Sequence, residues 1–245
     1  MEPTIDIRRH DERFHTRIDW LDSWHSFSFS GHYDPANVGH GLLLVHNDDR
    51  VAPGAGFPSH SHRDMEIVTW VLEGALRHRD STGTDDVIAP GLAQRMNAGS
   101  GITHSEMNAS ATEPVHFVQM WVPPDRAGIE PGYEQRDVGD RLEAGGLFPL
   151  ASGGRAPDAA ITIHQPDATL WAGRLAPGTP TPVPDAPFVH VFVARGSAGF
   201  SLGTYTPWEL AEGDAIRLAG AGSGALEAGP EGAEVLVWET YASVA

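Results

Sequence analysis

Short hydrophobic runs, separated by glycine and proline, recur along the whole chain. The 28 glycines and 19 prolines interrupt the 245-residue sequence every few positions, which leaves few stretches long enough for a helical period. The runs with strand character cover residues 41–45, 66–72, 116–122, 189–194 and 235–240. Many short strands with frequent turn residues predict an all-β sandwich or barrel, with helix confined to a turn or two near 208–212.

An internal repeat accompanies this strand pattern. The tetrapeptide Ala-Gly-Ser-Gly at 98–101 recurs at 221–224, and three turn dipeptides recur in the same order at offsets of 122 to 124 residues. Turn residues that recur in the same order and at nearly the same offset indicate two similar β-domains in tandem. The predicted units are an N-terminal domain, an interdomain segment and a C-terminal domain, at residues 1–125, 126–160 and 161–245.

The charge balance limits the possible partners. Lysine and arginine together number 16 against 33 acidic residues, which gives a net charge of −17. Such a surface repels phosphate backbones and anionic lipids, so we expect neither nucleic-acid nor membrane binding. The first twenty residues lack the apolar segment of a signal peptide, and no hydrophobic run approaches the roughly 18 residues of a membrane span. A cytoplasmic protein is therefore expected.

Two pairs of polar residues with an i, i+2 spacing stand beside strand-like runs. His60 and His62 precede the run at 66–72, and His104 and Glu106 follow the first Ala-Gly-Ser-Gly turn. Because strand side chains alternate between faces, the members of each pair point the same way, roughly 6.5–7 Å apart. The chain has no cysteine, so a transition metal must be held by imidazole and carboxylate groups. Three histidines and one glutamate from two strands predict a site for one divalent first-row metal.

The segments around these residues resemble the two signatures of cupins. The stretch 54–74 contains glycine, His-x-His, glutamate and a closing glycine in the order of the first signature, and 91–108 resembles a longer form of the second. With His-Arg-Asp-Ser at 78–81, these segments are similar to the pirin family. The resemblance to bacterial pirin-like quercetinases rests on the segments at 20–29, 33–35 and 132–136. The resemblance weakens beyond about residue 136, and it implies a bicupin with two tandem jelly-roll-like barrels.

The two signatures differ in the carboxylate ligand that they imply. Ordinary metallo-cupins take it from the first signature, which here is Glu66, whereas pirins take it from the second, which is Glu106. Glu66 lies four residues after His62 and would share its face in an unbroken strand, so strand alternation does not decide between them. We expect the closer family's set, with His60, His62, His104 and Glu106 as ligands, and keep Glu66 as the alternative carboxylate.

The second domain is expected to be metal-free. At the repeat offsets of 122 and 123 residues, the four ligand positions fall on Pro182, Pro184, Glu227 and Gly229, which retain at most one ligand. Proline also lacks the N–H that a central strand needs, so we expect an edge strand or a loop at 182–184.

The resemblance implies quercetin 2,3-dioxygenase chemistry. A flavonol would bind the metal through its 3-hydroxyl oxygen, Glu106 would accept the hydroxyl proton as the catalytic residue, and reaction with O₂ would open the ring and release carbon monoxide. The expected metal is Fe(II), with Ni, Co, Cu, Mn and Zn as alternatives. Asp64 and Met65 stand where many pirins have a glycine and an aromatic residue, so the identity of the substrate stays open.

Two other functions are compatible with the same residues. The first is a regulatory bicupin whose metal senses redox state and alters the binding of a protein partner, as the resemblance to eukaryotic pirins implies. The second is a metallo-cupin enzyme that acts on another enolisable or phenolic small molecule, because a fold and a metal site do not determine a substrate. The remaining histidines, His78 among them, are interpreted as hydrogen-bonded structural residues.

Overall fold

The computed structural model describes residues 2–203 and 207–244, which mostly form β-strands or connect them. The predicted all-β class with two tandem barrels is confirmed. The described helices are one α-helix, α1 (Gly139–Ala144), and one 3-10 turn (His10–Glu12). No helix within the described residues combines the length and the apolar composition that crossing a membrane requires.

The described residues form twenty strands. In chain order they are β1 (Thr4–Arg8), β2 (Phe14–Ile18), β3 (Leu21–His25), β4 (Val45–Val51), β5 (Gly56–His62), β6 (Glu66–Glu73), β7 (Leu76–Asp80), β8 (Asp85–Ile88), β9 (Leu92–Asn97), β10 (Ile102–Asn108), β11 (Val115–Val122), β12 (Gly132–Asp137), β13 (Gly146–Ser152), β14 (Ile161–Thr162), β15 (Ala168–Leu175), β16 (Thr181–Pro182), β17 (Phe188–Ser201), β18 (Trp208–Ala211), β19 (Ala215–Ala219) and β20 (Ala225–Thr240).

The two barrels share one strand order. The first barrel combines a four-stranded sheet, β5-β10-β7-β8, with a seven-stranded sheet, β12-β9-β6-β11-β4-β3-β2. The large sheet of the second barrel has the order β1-β19-β17-β20-β15-β13-β14. The second barrel has no separate small sheet within the described residues; instead, β18 pairs with the long strand β17 and β16 pairs with the long strand β20. The repeat seen in the sequence is therefore a repeat of strand topology.

Each half of the chain contributes an edge strand to the other barrel. Strand β1 pairs with β19 of the second barrel, whereas β12, which follows the first repeat, pairs with β9 of the first. The segment expected to be interdomain, 126–160, contains β12, α1 and β13. The predicted boundaries near 125 and 161 stay a prediction, and the last predicted domain includes residues 204–206 and 245, outside the described ranges.

Two local predictions were wrong. Residues 41–44 lead into β4 through a turn closed by the bridge between His40 and Leu43, and the turn begins at Gly41, whose φ of +60° favours glycine. Residues 208–211 form β18 and not a helix. Leu210 is buried between the exposed residues Glu209 and Ala211, so their alternation follows the strand period of two.

The largest hydrophobic cluster lies between the two barrels. Phe27, Trp70 and Met120 of the first barrel pack in one cluster with Phe192 and Trp238 of the second. Trp238 Nε1 donates a hydrogen bond to Met120 Sδ at 3.2 Å, so the indole nitrogen also has a partner across the contact. The outer face of the seven-stranded sheet is thereby buried, and the inner face remains available for the site described below.

Two arginines cross this contact in opposite directions. Arg13 of the first half donates to the carbonyl of Gly213 at 3.2 Å, and Arg217 of the second half donates to the carbonyl of Ser26 at 2.6 Å. The Arg217 guanidinium also lies 4.4 Å from the ring centroid of Phe27. Both cations are therefore desolvated and held by partners from the other barrel.

Asp48 is the buried counter-charge of Arg13. Its Oδ2 lies 3.6 Å from Arg13 NH1, and its Oδ1 accepts a hydrogen bond of 2.6 Å from His116 Nε2. Burial alone would raise the pKa of Asp48, but the His116 hydrogen bond and the Arg13 charge outweigh burial and lower it to about 2. Asp48 is thus ionised in the folded protein over most of the pH range.

We predict that Asp48→Asn lowers the free energy of unfolding by about 3–5 kcal/mol at neutral pH, because it leaves the Arg13 cation buried without its partner. Because the folded pKa of Asp48 lies below the ordinary value of 3.8, its stabilisation is present above that pH and is lost as pH falls towards about 2. The difference from wild type should therefore shrink over that interval. Urea unfolding followed by tryptophan fluorescence measures both effects.

The matched control is Asp22→Asn, which makes the same change at a partly exposed ion pair on β3. It should cost less than about 1 kcal/mol. Equal losses for the two variants at neutral pH would show that the buried charge of Arg13 does not depend on Asp48.

Candidate metal centre

Three histidines from two paired strands meet at one end of the first barrel. His60 and His62 lie on β5 and His104 on β10, where His104 is directly opposite His60. The ring centroids are 4.5 to 5.0 Å apart, and one nitrogen from each ring lies within 4.8 Å of the others. The structure therefore brings together the three histidines that the sequence singled out.

The free nitrogens of these rings fit a metal ion. Both nitrogens of His104 and Nε2 of His62 are buried without a hydrogen-bond partner among the described residues. His60 Nδ1 lies 2.8 Å from the Pro58 carbonyl, to which it must donate, and this leaves Nε2 with a lone pair. Burial lowers the pKa of His62 to about 4 and, with the neighbouring histidines, that of His104 to about 2. The rings of His62 and His104 are thus neutral, as metal ligands must be.

Glu106 is held by a chain of two hydrogen-bonding side chains. Gln119 Nε2 donates to both carboxylate oxygens, at 3.0 and 2.9 Å, and Gln119 Oε1 accepts from Trp121 Nε1 at 3.0 Å. The indole therefore determines which end of the amide faces the carboxylate. Burial raises the pKa of Glu106, and the Gln119 contact opposes that rise. A carboxylate oxygen of Glu106, a ring nitrogen of His104 and a ring nitrogen of His78 all lie within 4.8 Å of one another.

Glu66 lies on the opposite side of the large sheet. Its carboxylate accepts a 2.9 Å hydrogen bond from His164 Nδ1 and lies 3.7 Å from Arg95 Nε. The chain bends between β5 and β6, where Asp64 has a φ of +48°, so the unbroken strand that would have aligned Glu66 with His62 does not exist. The structure separates Glu66 from the three histidines, and the ligand set with Glu106 stays a prediction.

Asp64 has a structural contact at this bend. Its Oδ1 accepts a hydrogen bond of 2.6 Å from the Gly128 amide. Neither Asp64 nor Met65 belongs to the wall of the cavity beside the histidines. The two residues that depart from the common pirin pattern therefore do not line this cavity.

His78 is a buried neighbour of the site that sequence reasoning missed. Its Nε2 lies 2.9 Å from Asp80 Oδ2, its Nδ1 is buried without a partner among the described residues, and its ring stands 5.2 Å from that of His104. The interpretation of His78 as a hydrogen-bonded structural residue agrees with its contact to Asp80 but misses its position, because β7 pairs with β10 and sets His78 directly opposite Glu106. The His-x-Asp spacing at 78–80, which repeats that of the other pairs, was the available signal.

The histidines open into a cavity of about 600 Å³. His60, His62 and Glu106 line one part of it. The aromatic wall consists of Trp20, Phe29, Phe57 and Trp121, which meet edge-to-face in two pairs at 5.2 and 5.6 Å. A cavity with apolar aromatic walls and a few polar groups at one end suits a small planar ligand.

Comparison with known proteins agrees with this geometry. The family model described as Pirin matches residues 7–122. A protein of Mycobacterium tuberculosis, named provisionally as a quercetin 2,3-dioxygenase, is 55% identical over 244 residues, which cover 100% of this chain and 98% of that protein. The chain belongs to the pirin family.

Two comparisons with Escherichia coli extend the description of this pirin. The quercetin 2,3-dioxygenase of strain K12 is 45% identical over 171 residues, which cover 70% of this chain and 72% of that protein. The crystal structure of bacterial pirin YhhW in complex with nickel(II) is 34% identical, with a TM-score of 0.87, and the match covers 98% of this chain and 100% of that one. A complex with nickel(II) is thus known for a structure that resembles this one along nearly its whole length.

The pirin's two barrels differ in one row of inward-facing residues. Cross-strand partners in the first barrel form a continuous polar row, His25, Asn47, Gln119, Thr69, Gln94 and Gln135. The corresponding row in the second barrel is Pro149, Trp171, Val237, Val191, Ile216 and Ile7. Apolar residues thus replace every member of the row. The metal-free state of the second barrel stays a prediction, and its apolar interior is the physical reason to expect it.

We predict that Gln119→Leu weakens metal binding about 10- to 100-fold, the usual cost of removing a group that orients a ligand. Without the two hydrogen bonds that Gln119 donates, the buried carboxylate of Glu106 ionises less readily and is no longer held in place. Competition with a metal chelator measures the affinity. Gln94→Leu is the matched control, since Gln94 lies in the same row without contacting Glu106. Equal affinities for the two variants would remove Gln119 from the site.

Proposed function

We propose that this pirin is a metal-dependent dioxygenase that opens the ring of a flavonol of the quercetin type with O₂ and releases carbon monoxide. One observation supports this most directly: three histidines with free nitrogens and the carboxylate of Glu106 lie beside an aromatic-walled cavity of about 600 Å³. A site that only senses a metal has no need of such a cavity. The quercetin 2,3-dioxygenase names of its relatives agree with the proposal.

The proposed metal ligands are His60, His62, His104 and Glu106. All are nitrogen or oxygen donors, which suits a divalent first-row metal, and nickel(II) in the E. coli relative supports this class. We propose Fe(II) as the working metal, with Ni, Co, Cu, Mn and Zn to be tested beside it. Once bound, such a metal would act as a Lewis acid that acidifies a coordinating hydroxyl group and promotes its reaction with O₂.

The chain's own groups supply the remaining steps. Glu106 accepts the proton of the substrate hydroxyl, and Gln119 keeps the carboxylate aimed because Trp121 fixes its amide. Trp20, Phe57 and Trp121 provide flat apolar surfaces that orient a planar substrate and exclude water.

We predict metal-dependent flavonol turnover by the purified protein. Samples reconstituted separately with Fe(II), Ni(II), Co(II) and Cu(II) should consume quercetin and O₂ and release carbon monoxide in equal amounts, all three measured together. His62→Ala should lose at least about tenfold in metal affinity and the turnover with it, because one free imidazole nitrogen is removed. His164→Ala is the control, since that histidine contacts Glu66 on the far side of the sheet.

The outcomes separate the competing functions. Metal bound at one equivalent without turnover of any flavonol would favour a redox-sensing pirin or another enolisable or phenolic substrate. Failure to bind metal in any preparation would refute the proposed ligand set itself.

We predict that Glu106→Gln lowers kcat by about 10²- to 10⁴-fold in protein matched for bound metal, because the amide cannot accept the substrate proton. Steady-state kinetics on samples of known metal content measure the effect. Full turnover by the metal-loaded variant would contradict the role of Glu106 as the proton acceptor.

A further inference from the structure

The cavity beside the histidines has a second polar wall. Ser23 and His25 on β3 and Asn47 and Asp49 on β4 all line it. They form two directly opposed cross-strand pairs, Ser23 with Asp49 and His25 with Asn47. None of the four belongs to the proposed metal ligands, and the mechanism above does not use them.

Hydrogen bonds hold this wall in one arrangement. Ser23 Oγ donates to Asp49 Oδ1, and His25 Nδ1 lies 2.9 Å from Asn47 Oδ1, to which it donates. His25 Nε2 in turn lies 2.9 Å from Thr16 Oγ1. Polar side chains that restrain one another in this way lose little conformational freedom when a ligand binds.

The barrel fold does not itself require polar residues at these positions. Strand register places Leu147, Pro149, Trp171 and Gly173 of the second barrel at the positions equivalent to Ser23, His25, Asn47 and Asp49. The same topology is therefore built with apolar residues or glycine in the other half of the same chain. Polar groups that cost desolvation and are not needed for folding indicate a ligand.

Asp49 has unused hydrogen-bonding capacity. Its side chain is buried and accepts from Ser23, but among the described residues it forms no ion pair. Burial, with the nearby carboxylates of Asp48 and Glu106, raises the pKa of Asp49 to about 7. A carboxyl group has about four acceptor positions, and a buried one is stabilised by each donor that reaches it.

We propose that Asp49, held by Ser23, is a recognition site for a second phenolic hydroxyl group of the substrate, distinct from the one that binds the metal. This inference rests on the proposed function, and it narrows the substrate class to planar phenols with at least one hydroxyl group besides the one that binds the metal. The aromatic wall of Trp20, Phe57 and Trp121 contacts the apolar faces of such a molecule, while one of its hydroxyl groups meets Glu106 and another meets Asp49.

Selectivity between two flavonols tests this proposal. Quercetin carries several phenolic hydroxyl groups, whereas 3-hydroxyflavone keeps only the one proposed to bind the metal. The ratio of their kcat/KM values should fall about 10- to 100-fold in Asp49→Leu, which removes the acceptor while keeping the side-chain size. Asp49→Asn keeps one acceptor and should recover part of the ratio. Bound metal and thermal melting are recorded for each variant, so that lost folding is not mistaken for lost selectivity.

Asp22→Asn is the matched control, because Asp22 lies on β3 next to Ser23 and pairs with His15 outside the cavity. Its selectivity ratio should equal that of wild type. An Asp49→Leu protein that keeps its metal and the wild-type ratio would overturn the proposal.

Equilibrium binding separates failure of this inference from failure of the proposed function. If wild type turns over neither flavonol, the dioxygenase proposal fails, and quenching of tryptophan fluorescence in metal-loaded protein then reports the affinity for each flavonol. Tighter binding of quercetin by wild type, lost in Asp49→Leu, would support the recognition site without the reaction. Equal binding of both flavonols by wild type would overturn it.

Discussion

The apolar contact between the two barrels is the interaction on which the rest of this pirin depends. The largest hydrophobic cluster joins the outer face of the first barrel's large sheet to the second barrel through residues such as Trp70 and Trp238. The second barrel also has an apolar interior of its own, whereas the interior clusters of the first are small. Because buried apolar area is the main source of stability, the first barrel can keep a polar, open interior only while its outer face is covered.

The same constraint explains the charged groups at the contact. Arg13 and Arg217 are removed from water where the barrels meet, and each is bonded to a backbone carbonyl of the other half. A buried cation without such partners would cost several kcal/mol. The exchange of β1 and β12 between the barrels ties the halves together in the same way, since neither sheet is complete without a strand from the other.

The two barrels thus share one strand topology but differ in interior, which is apolar in the second barrel and polar in the first. In the second barrel, Trp171 and Val237 occupy the level at which the first has Asn47 and Gln119. The apolar row fills the interior of the second barrel and stabilises the fold. The polar row of the first barrel includes buried atoms without a hydrogen-bond partner among the described residues, such as Thr69 Oγ1 and Gln94 Oε1. Functional residues commonly cost stability in this way, and in this chain the second barrel offsets that cost.

Sequence reasoning succeeded where the information is local. Alternation along a strand placed His60 beside His62, and the spacing of turn glycines exposed the two repeats. Strand alternation alone could not decide between Glu66 and Glu106, because it holds only for an unbroken strand and the chain bends at Asp64. The prediction failed at 208–211, where four residues are too few for their alternation to distinguish a strand from a helix. It missed His78, whose importance depends on the pairing of β7 with β10, some thirty residues apart in the chain.

The sequence by itself therefore determined the all-β class, the tandem repeat and the identity of the three clustered histidines. These follow from residue spacing of two along strands and from the recurrence of turn residues, both of which are short-range properties. Only the tertiary structure decided that Glu106 meets Gln119, that His78 stands behind it, and that Ser23 and Asp49 face the same cavity as His60. Those contacts join strands that are distant in the chain, and the close packing of two sheets, which no local pattern encodes, determines which side chains meet.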